Sequence, residues 1–458
     1  MSGKRMLLSA IALVAILGTA CGPTPTPAMK EVTLTAWTIG PDEPSYYRRD
    51  NLIAAGEALN KELAAEKANV RVKVEATFDT GAWGDFKQKF FLAAQAGTAP
   101  DIILSGHEDV APWSDAGFIL DLSDHIKKYW DKTYKDIIPG LWKSVEYKGK
   151  RWAIPQDTEA RPMYFSKTLL KKLGWSDADI AALPDKIKRG EFTLYDLLTV
   201  AKEAQDKGVV AKGYGYWSRP RKGGDFYSVY FSFGGEMQDP TTGKLVVVKD
   251  ALLKHFQFHY DTVFTSKTTP EGFIGKEWKD WHETVSKGDK VLFWNGGTWH
   301  WAEWTTKYLG GNEQHLWDNV GFALFPAGEK GKKPVTLSHP LVYMVTKSSK
   351  NPDLAFRLLT LATTPELNTK HAVNSGHLAI LTTQITHPEY AKAKFLQQTA
   401  YMPEYAGYQP NHADYGPYDT ILWTALSAVM GGQTTPEKAV DTVVKDLTAE
   451  LKDKVVIR

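Results

Sequence analysis

Gly97-Thr98-Ala99-Pro100-Asp101-Ile102-Ile103-Leu104 sets a Gly/Pro-containing turn directly before a short apolar run, the pattern of a loop entering a buried strand. Toward the N-terminus, residues 83–96 carry helix signals, and residues 70–78 alternate, with Val70, Val72 and Val74 separated by Arg71 and Lys73. Residues 51–67 again read as helix, after a turn containing Gly40, Pro41 and Pro44. Ahead of that turn, Val32-Thr33-Leu34-Thr35-Ala36-Trp37 alternates with β-branched residues, as a strand does. Strand, helix, strand, helix, strand predicts an α/β unit with helices on both faces of its sheet.

Toward the C-terminus a second block of the same style runs from 164 to 295. Strand-like residues 320–325 and 342–345 follow, then largely helical sequence from 352 onward. A chain of 458 residues is too long for one ordinary core. No internal repeat and no flexible linker interrupts it after residue 30, so two α/β lobes joined by several crossing strands are expected.

Composition narrows the function classes. The 43% apolar and 24% charged content is that of a globular protein. With 55 basic against 53 acidic residues there is no basic excess to neutralise nucleic-acid phosphates. At the N-terminus, Lys4 and Arg5 precede an apolar stretch at 6–17 that is too short to span a bilayer, and Gly18-Thr19-Ala20 follow. That is the anatomy of an export signal, assigned to residues 1–20. The single cysteine, Cys21, stands directly after it, and Gly22-Pro23-Thr24-Pro25-Thr26-Pro27 reads as a stiff tether over residues 21–29. A lone cysteine in this place resembles the lipobox of bacterial lipoproteins, although Gly18 stands where leucine is usual. The resemblance implies acylation of the thiol and a cell-surface or periplasmic protein held to the membrane without spanning it.

Six segments in order then resemble the maltose-binding family of bacterial extracellular solute-binding proteins. Gly97 to Ile103 looks like that family's G-x-x-PDI strand entry, and Gly117-Phe118-Ile119-Leu120-Asp121-Leu122 like its next segment. Tyr147-Lys148-Gly149-Lys150-Arg151-Trp152-Ala153-Ile154-Pro155 is similar to its run into the hinge, and Tyr164-Phe165-Ser166-Lys167 to a helix start. Phe293-Trp294-Asn295-Gly296-Gly297-Thr298-Trp299 resembles its NG-x-W strand end with one extra residue. Gly431-Gly432-Gln433-Thr434-Thr435-Pro436-Glu437-Lys438-Ala439 matches the turn between its terminal helices. The resemblance implies a two-lobed fold like that of periplasmic binding proteins, with ligand in an interlobe cleft and closure by hinge bending. The lobes are expected at 30–155 with 325–375, and at 156–324 with 376–458. An importer of the ATP-binding-cassette class is the implied partner, the protein itself a monomer without cofactor. No G-x-x-x-x-G-K-[ST] loop stands in the chain.

Sugars combine a polar rim of hydroxyls with a flat C–H face, so a site needs polar side chains and aromatic platforms. Trp37 ends the first strand, where open α/β sheets bind ligands, and Trp83 opens a helix. Trp299 and Trp301 follow the Asn-Gly-Gly turn, and Tyr415 and Tyr418 lie in a Gly/Pro-rich loop. Family likeness puts stacking aromatics at Trp299 and near Tyr418. It also puts an acidic ligand contact at Glu108, where Ser105 replaces the usual aromatic neighbour, and another at Glu159. Asp157 shares a strand face with Glu159, and Asp42 follows the first strand. Each has a structural alternative: core filling for the aromatics, a Glu159–Arg161 ion pair, a solvated loop at Asp42.

The ligand expected is a mono- or oligosaccharide. A polyol or glycerol phosphate ester remains the alternative, the latter drawing on Arg161, Arg219 and Arg221, as does a purely sensory role. Enzyme signatures are lacking: Asp157 and Glu159 on one strand cannot flank a glycosidic bond, and there is no H-E-x-x-H, G-x-S-x-G or cysteine-based metal site.

Overall fold

A computed structural model describes residues 29–41 and 43–458, the side chain of Glu43 excepted. The expected export signal, Cys21, most of the expected tether and Asp42 lie outside the described residues. Among the described residues, no helix is long and apolar enough to cross a membrane.

Two sheets organise the chain. The first runs Val70–Asp79, Lys30–Ile39, Ile102–Gly106, Leu341–Val345, Ile154–Asp157. Its first three strands are parallel, as crossover helices require, and Leu341–Val345 runs antiparallel to both its neighbours. Ile102, Ile103 and Leu104 are fully buried, which is why that strand reads as an unbroken apolar run. The helices Tyr47–Ala65 and Trp83–Gln95 fill the expected places between strands. The second sheet runs Val320–Ala323, Met163–Ser166, Phe293–Asn295, Tyr216–Trp217. Each sheet carries its own large core, and a further apolar cluster packs the C-terminal helices Tyr415–Met430 and Pro436–Leu451 against residues 245–263.

Local chemistry sets the element ends. Ser166 closes the strand Met163–Ser166 and caps the helix Lys167–Leu173 by accepting from the Leu169 N–H. Gly174, with φ of 102°, ends that helix in a conformation that penalises any side chain. From 352 onward the chain is largely helical, as expected, with connecting loops and short strands at Ala406–Tyr408 and Val455–Ile457.

The crossings between lobes lie side by side. The Thr158 hydroxyl meets that of Ser338 at 2.9 Å, and its carbonyl accepts from the Leu378 N–H at 2.8 Å. The expected crossings at Phe325 and Ser375 are corrected. Phe325 pairs with Val335 and is buried in the second core, so the chain passes over only between Ser338 and Leu341. Beyond Gly376, Ile380 and Leu381 pack in the first core, and Thr382 donates to the Asp136 carbonyl at 2.8 Å. Sequence periodicity marks apolar residues but does not say which core receives them.

Candidate functional site

A cavity of about 260 Å³ opens between the two sheets. Pro41, Arg48, Trp83, Lys87 and Glu108 line it from the first lobe, and Arg161, Arg219, Lys222, Trp278, Trp299 and Gln409 from the second. Glu159, His339, Leu341 and His377 come from the crossings.

Glu108 sits in a single helical turn just past Ile102–Gly106. Its carboxylate folds back over Gly106, where any side chain would collide with it. It accepts from Lys87 Nζ at 2.6 Å and His339 Nε2 at 2.7 Å. Burial works against its charge, but His339 and Lys87 outweigh burial and hold its pKa well below the usual carboxylate range.

On the second lobe, Trp299 starts the helix Trp299–Glu303 beside Gly297, a position where a Cβ would run into the indole. The Arg161 and Arg219 guanidiniums lie 5.2 and 5.6 Å from the Trp299 ring centroid. Arg219 also lies 4.5 Å from the centroid of Trp278, whose ring stacks on Trp281 at 5.0 Å. Arg161 bonds Glu159 through Nε and Nη2 at 3.0 and 2.6 Å. One oxygen of the buried Asp225 takes both Arg161 Nη1 and Arg219 Nη1 at 2.7 Å. Burial opposes the charge on Arg161, but Asp225 and Glu159 outweigh it and raise its pKa. Burial raises the Glu159 pKa, with Arg161 pulling the other way.

All five Arg and Lys residues of the lining are ion-paired. Besides the Arg161 and Arg219 pairs, Arg48 holds Asp157 at 2.8 Å and Lys222 holds Asp419 at 2.8 Å. Lys87 adds Asp109 at 2.8 Å to its Glu108 contact. Charge therefore cancels around the wall, which presents both hydrogen-bond donors and acceptors.

Of the residues singled out in the sequence, Trp83, Glu108, Glu159 and Trp299 meet at this cavity, as do Arg161 and Arg219. Asp42 lies outside the described residues, Arg221 is exposed and paired with Glu277, and the other candidates do not line the cavity, each for a visible reason. Trp37 is half-buried at the margin of the first core under the Lys89 ammonium, 4.5 Å from its centroid. Trp301 is buried in the second core, stacked on Phe395 at 4.5 Å with its indole N–H on Glu313. Tyr418 is fully buried and donates to the Val246 carbonyl at 2.6 Å. Tyr415 stands one layer behind the wall, its hydroxyl 2.6 Å from the cavity residue Gln409. Asp157 is buried under Arg48 and His371, and despite the cost of burial the Arg48 guanidinium, aided by His377 and the hydrogen bond from His371, holds its pKa far down.

Sequence reasoning missed Trp278, His339, His377, Lys87 and Gln409, and weighed Arg219 only as a phosphate donor. These residues come from scattered loops and crossings, so no local pattern joins them.

The two lobes and the walled cleft between them define a solute-binding protein. The sequence pattern of the bacterial extracellular solute-binding protein family matches residues 50–369, and the chain belongs to that family. It is a binding protein, not an enzyme. The acarbose-binding GacH receptor of Streptomyces glaucescens is similar in structure, at 20% identity and a TM-score of 0.72 over 93% of this chain and 99% of that one. Maltose-bound MalE3 of T. maritima gives 21% and 0.69 over 91% and 99%. A ribitol-bound solute-binding protein of Agrobacterium radiobacter K84 gives 20% and 0.69 over 92% and 100%.

Proposed function

We propose that this protein captures a small neutral sugar between its lobes and hands it to a membrane importer of the ATP-binding-cassette class. The observation that carries this reading is the pairing of every Arg and Lys on the cavity wall with a carboxylate. A phosphate ester would need uncompensated donors converging on one point. A neutral polyhydroxyl compound needs the mixture of donors and acceptors found here. Trp83 is half-buried on the first lobe and, among the described residues, has no ring or cation stacked on it, so it offers its face to the C–H side of a sugar. A cavity of about 260 Å³ suits one or two rings, being below the roughly 300–1,000 Å³ of pockets for drug-sized ligands.

The sugar and polyol ligands of the similar structures agree with this class of ligand. In the same reading residues 1–20 are an export signal, Cys21 carries the lipid anchor, and the mature protein works as a monomer at the cell surface or in the periplasm.

Thermal unfolding with a panel of mono- and disaccharides, polyols and glycerol phosphate tests the ligand class. A ligand at a hundred times its Kd stabilises the native state by about 2.7 kcal/mol. Stabilisation by a neutral sugar is expected. Stabilisation by phosphate esters alone would overturn the neutral reading, and a polyol response alone would narrow it to acyclic ligands.

A further inference from the structure

Three groups of histidines and carboxylates each bring their ligand atoms within 4.8 Å of one another: Asp157, His371 and His377; His282, His300 and Glu303; His107, Glu108 and His339. Lone-pair accounting separates them. In the first, Arg48 Nη2 already lies 2.8 Å from Asp157 and 3.1 Å from His377 Nε2, so a cation fills the place. In the second, His282 Nδ1 accepts from the Trp304 indole N–H and His300 Nδ1 from the Gly297 N–H. Their Nε2 atoms therefore carry the ring protons and cannot ligate.

The third group differs. His107 Nε2 is 2.9 Å from the Gln409 carbonyl, which can only accept, so Nε2 holds the proton and Nδ1 keeps a bare lone pair. That Nδ1 is buried, has no hydrogen-bond partner among the described residues, and lies 3.8 Å from Glu108 Oε2. A carbonyl that fixes the far nitrogen is also what orients a metal-ligating histidine. His339 Nε2 lies 2.7 Å from the same Glu108 oxygen, and moving its proton to Nδ1 frees a second lone pair. Metal–ligand bonds of about 2.0–2.2 Å in a tetrahedron place ligand atoms about 3.4 Å apart, close to this spacing. Lys87 occupies the other Glu108 oxygen, Oε1, and leaves Oε2 to the site.

We propose that His107 Nδ1, Glu108 Oε2 and His339 Nε2 form a binding site for a divalent transition-metal ion, of which Zn²⁺ best suits two imidazoles and a carboxylate. Glu108 and His339 both border the cavity, so the fourth coordination position opens toward the ligand space. The site is independent of the sugar reading: its three ligands lie on the first lobe and the 338–341 crossing, and water can take the acceptor place at the His107 Nε2 proton when the Gln409 carbonyl moves away, so it is measured without sugar.

The test titrates Zn²⁺ alone into the chelator-treated full chain by calorimetry, with Co²⁺ absorption reporting the coordination geometry. One Zn²⁺ per chain is expected, with tetrahedral Co²⁺ bands. His339→Ala should weaken Zn²⁺ by about 100-fold or more, since even outer-shell partners are worth 10–100-fold. Lys87→Met removes a competing charge and should tighten it. Thermal denaturation without metal checks each fold, and if His107→Ala does not fold, His339→Ala decides. Absence of saturable Zn²⁺ binding, or equal binding by His339→Ala and the parent, would overturn the proposal.

Discussion

Arg161 lies with its guanidinium 5.2 Å from the ring centroid of Trp299, so this indole carries a cation before any ligand arrives. Arg219 shares the ring, and both arginines are tied beneath it by one oxygen of Asp225. Trp299 therefore acts through the guanidiniums it supports as much as through its own surface. Trp299→Ala removes two cation–π contacts of about 0.5–2 kcal/mol each and frees both arginines to move. Sugar affinity should fall about 10-fold or more, and Trp299→Phe should recover part of it because it keeps a ring. Calorimetric titration of both variants checks this. Equal binding by Trp299→Ala and the parent would remove the ring from the site.

Buried histidines predict how stability responds to acid. Burial alone lowers the pKa of His259 to about 3, and burial, aided by Arg219 and Lys307, lowers that of His282 to about 3. In the unfolded chain both titrate near 6.5. Between those values the unfolded state binds more protons than the native one, so stability falls as pH drops from about 6.5 toward 3. Each group costs about 1.4 kcal/mol per pH unit in that window, or up to about 5 kcal/mol for the pair by pH 4.5. Neither ring nitrogen of His259 has a hydrogen-bond partner among the described residues, so His259→Leu should cost little at pH 7 and flatten the slope. Urea denaturation midpoints between pH 7 and 4.5 measure both, and an unchanged slope in the variant would contradict the assignment.

The fold was largely legible because strand and helix periodicities are local. Ile102, Ile103 and Leu104 form one buried strand, and the Val70–Val72–Val74 alternation lies on the edge strand two places away, across Lys30–Ile39. The site was legible only where a motif brackets a residue, as Asn295-Gly296-Gly297 brackets Trp299. Tyr418 shows the limit: its Gly/Pro-rich surroundings resemble a binding loop, yet its hydroxyl satisfies the Val246 carbonyl inside the C-terminal cluster. His339 shows the converse, since a lone histidine gains meaning only when the crossing at 338–341 carries it to Glu108.

The proposed anchor is tested apart from the site. Cys21 is the sole thiol in the sequence and directly follows the proposed export signal. Cys21→Ala should shift the protein from the membrane pellet to the soluble fraction while leaving sugar binding unchanged. Membrane retention equal to the parent's would show that something other than this thiol holds it.

Asn411 spans the cleft at a point that predicts its part in closure. From the second lobe its Oδ1 accepts the Ala111 N–H at 2.8 Å, and its Nδ2 donates to the Glu146 carbonyl at 3.1 Å. Ala111 lies in the first turn of the helix Val110–Asp115, where N–H groups have no intrahelical acceptor. One side chain thus caps a helix of the opposite lobe, and His107 adds its contact to the Gln409 carbonyl two residues away. Such contacts exist only while the lobes are together, so they favour the closed form selectively. A ligand drives closure only through interactions that differ between open and closed states, and the latch adds to that difference. Asn411→Ala deletes two hydrogen bonds worth about 0.5–1.5 kcal/mol each, so sugar affinity should fall about 5- to 150-fold. Stability without sugar should change little if the free protein is open. Small-angle scattering at matched sugar concentration should show compaction in the parent and less of it in the variant. Equal compaction and equal affinity in the two would mean that residues 409–412 merely touch the first lobe and that the hinge alone sets the closed geometry.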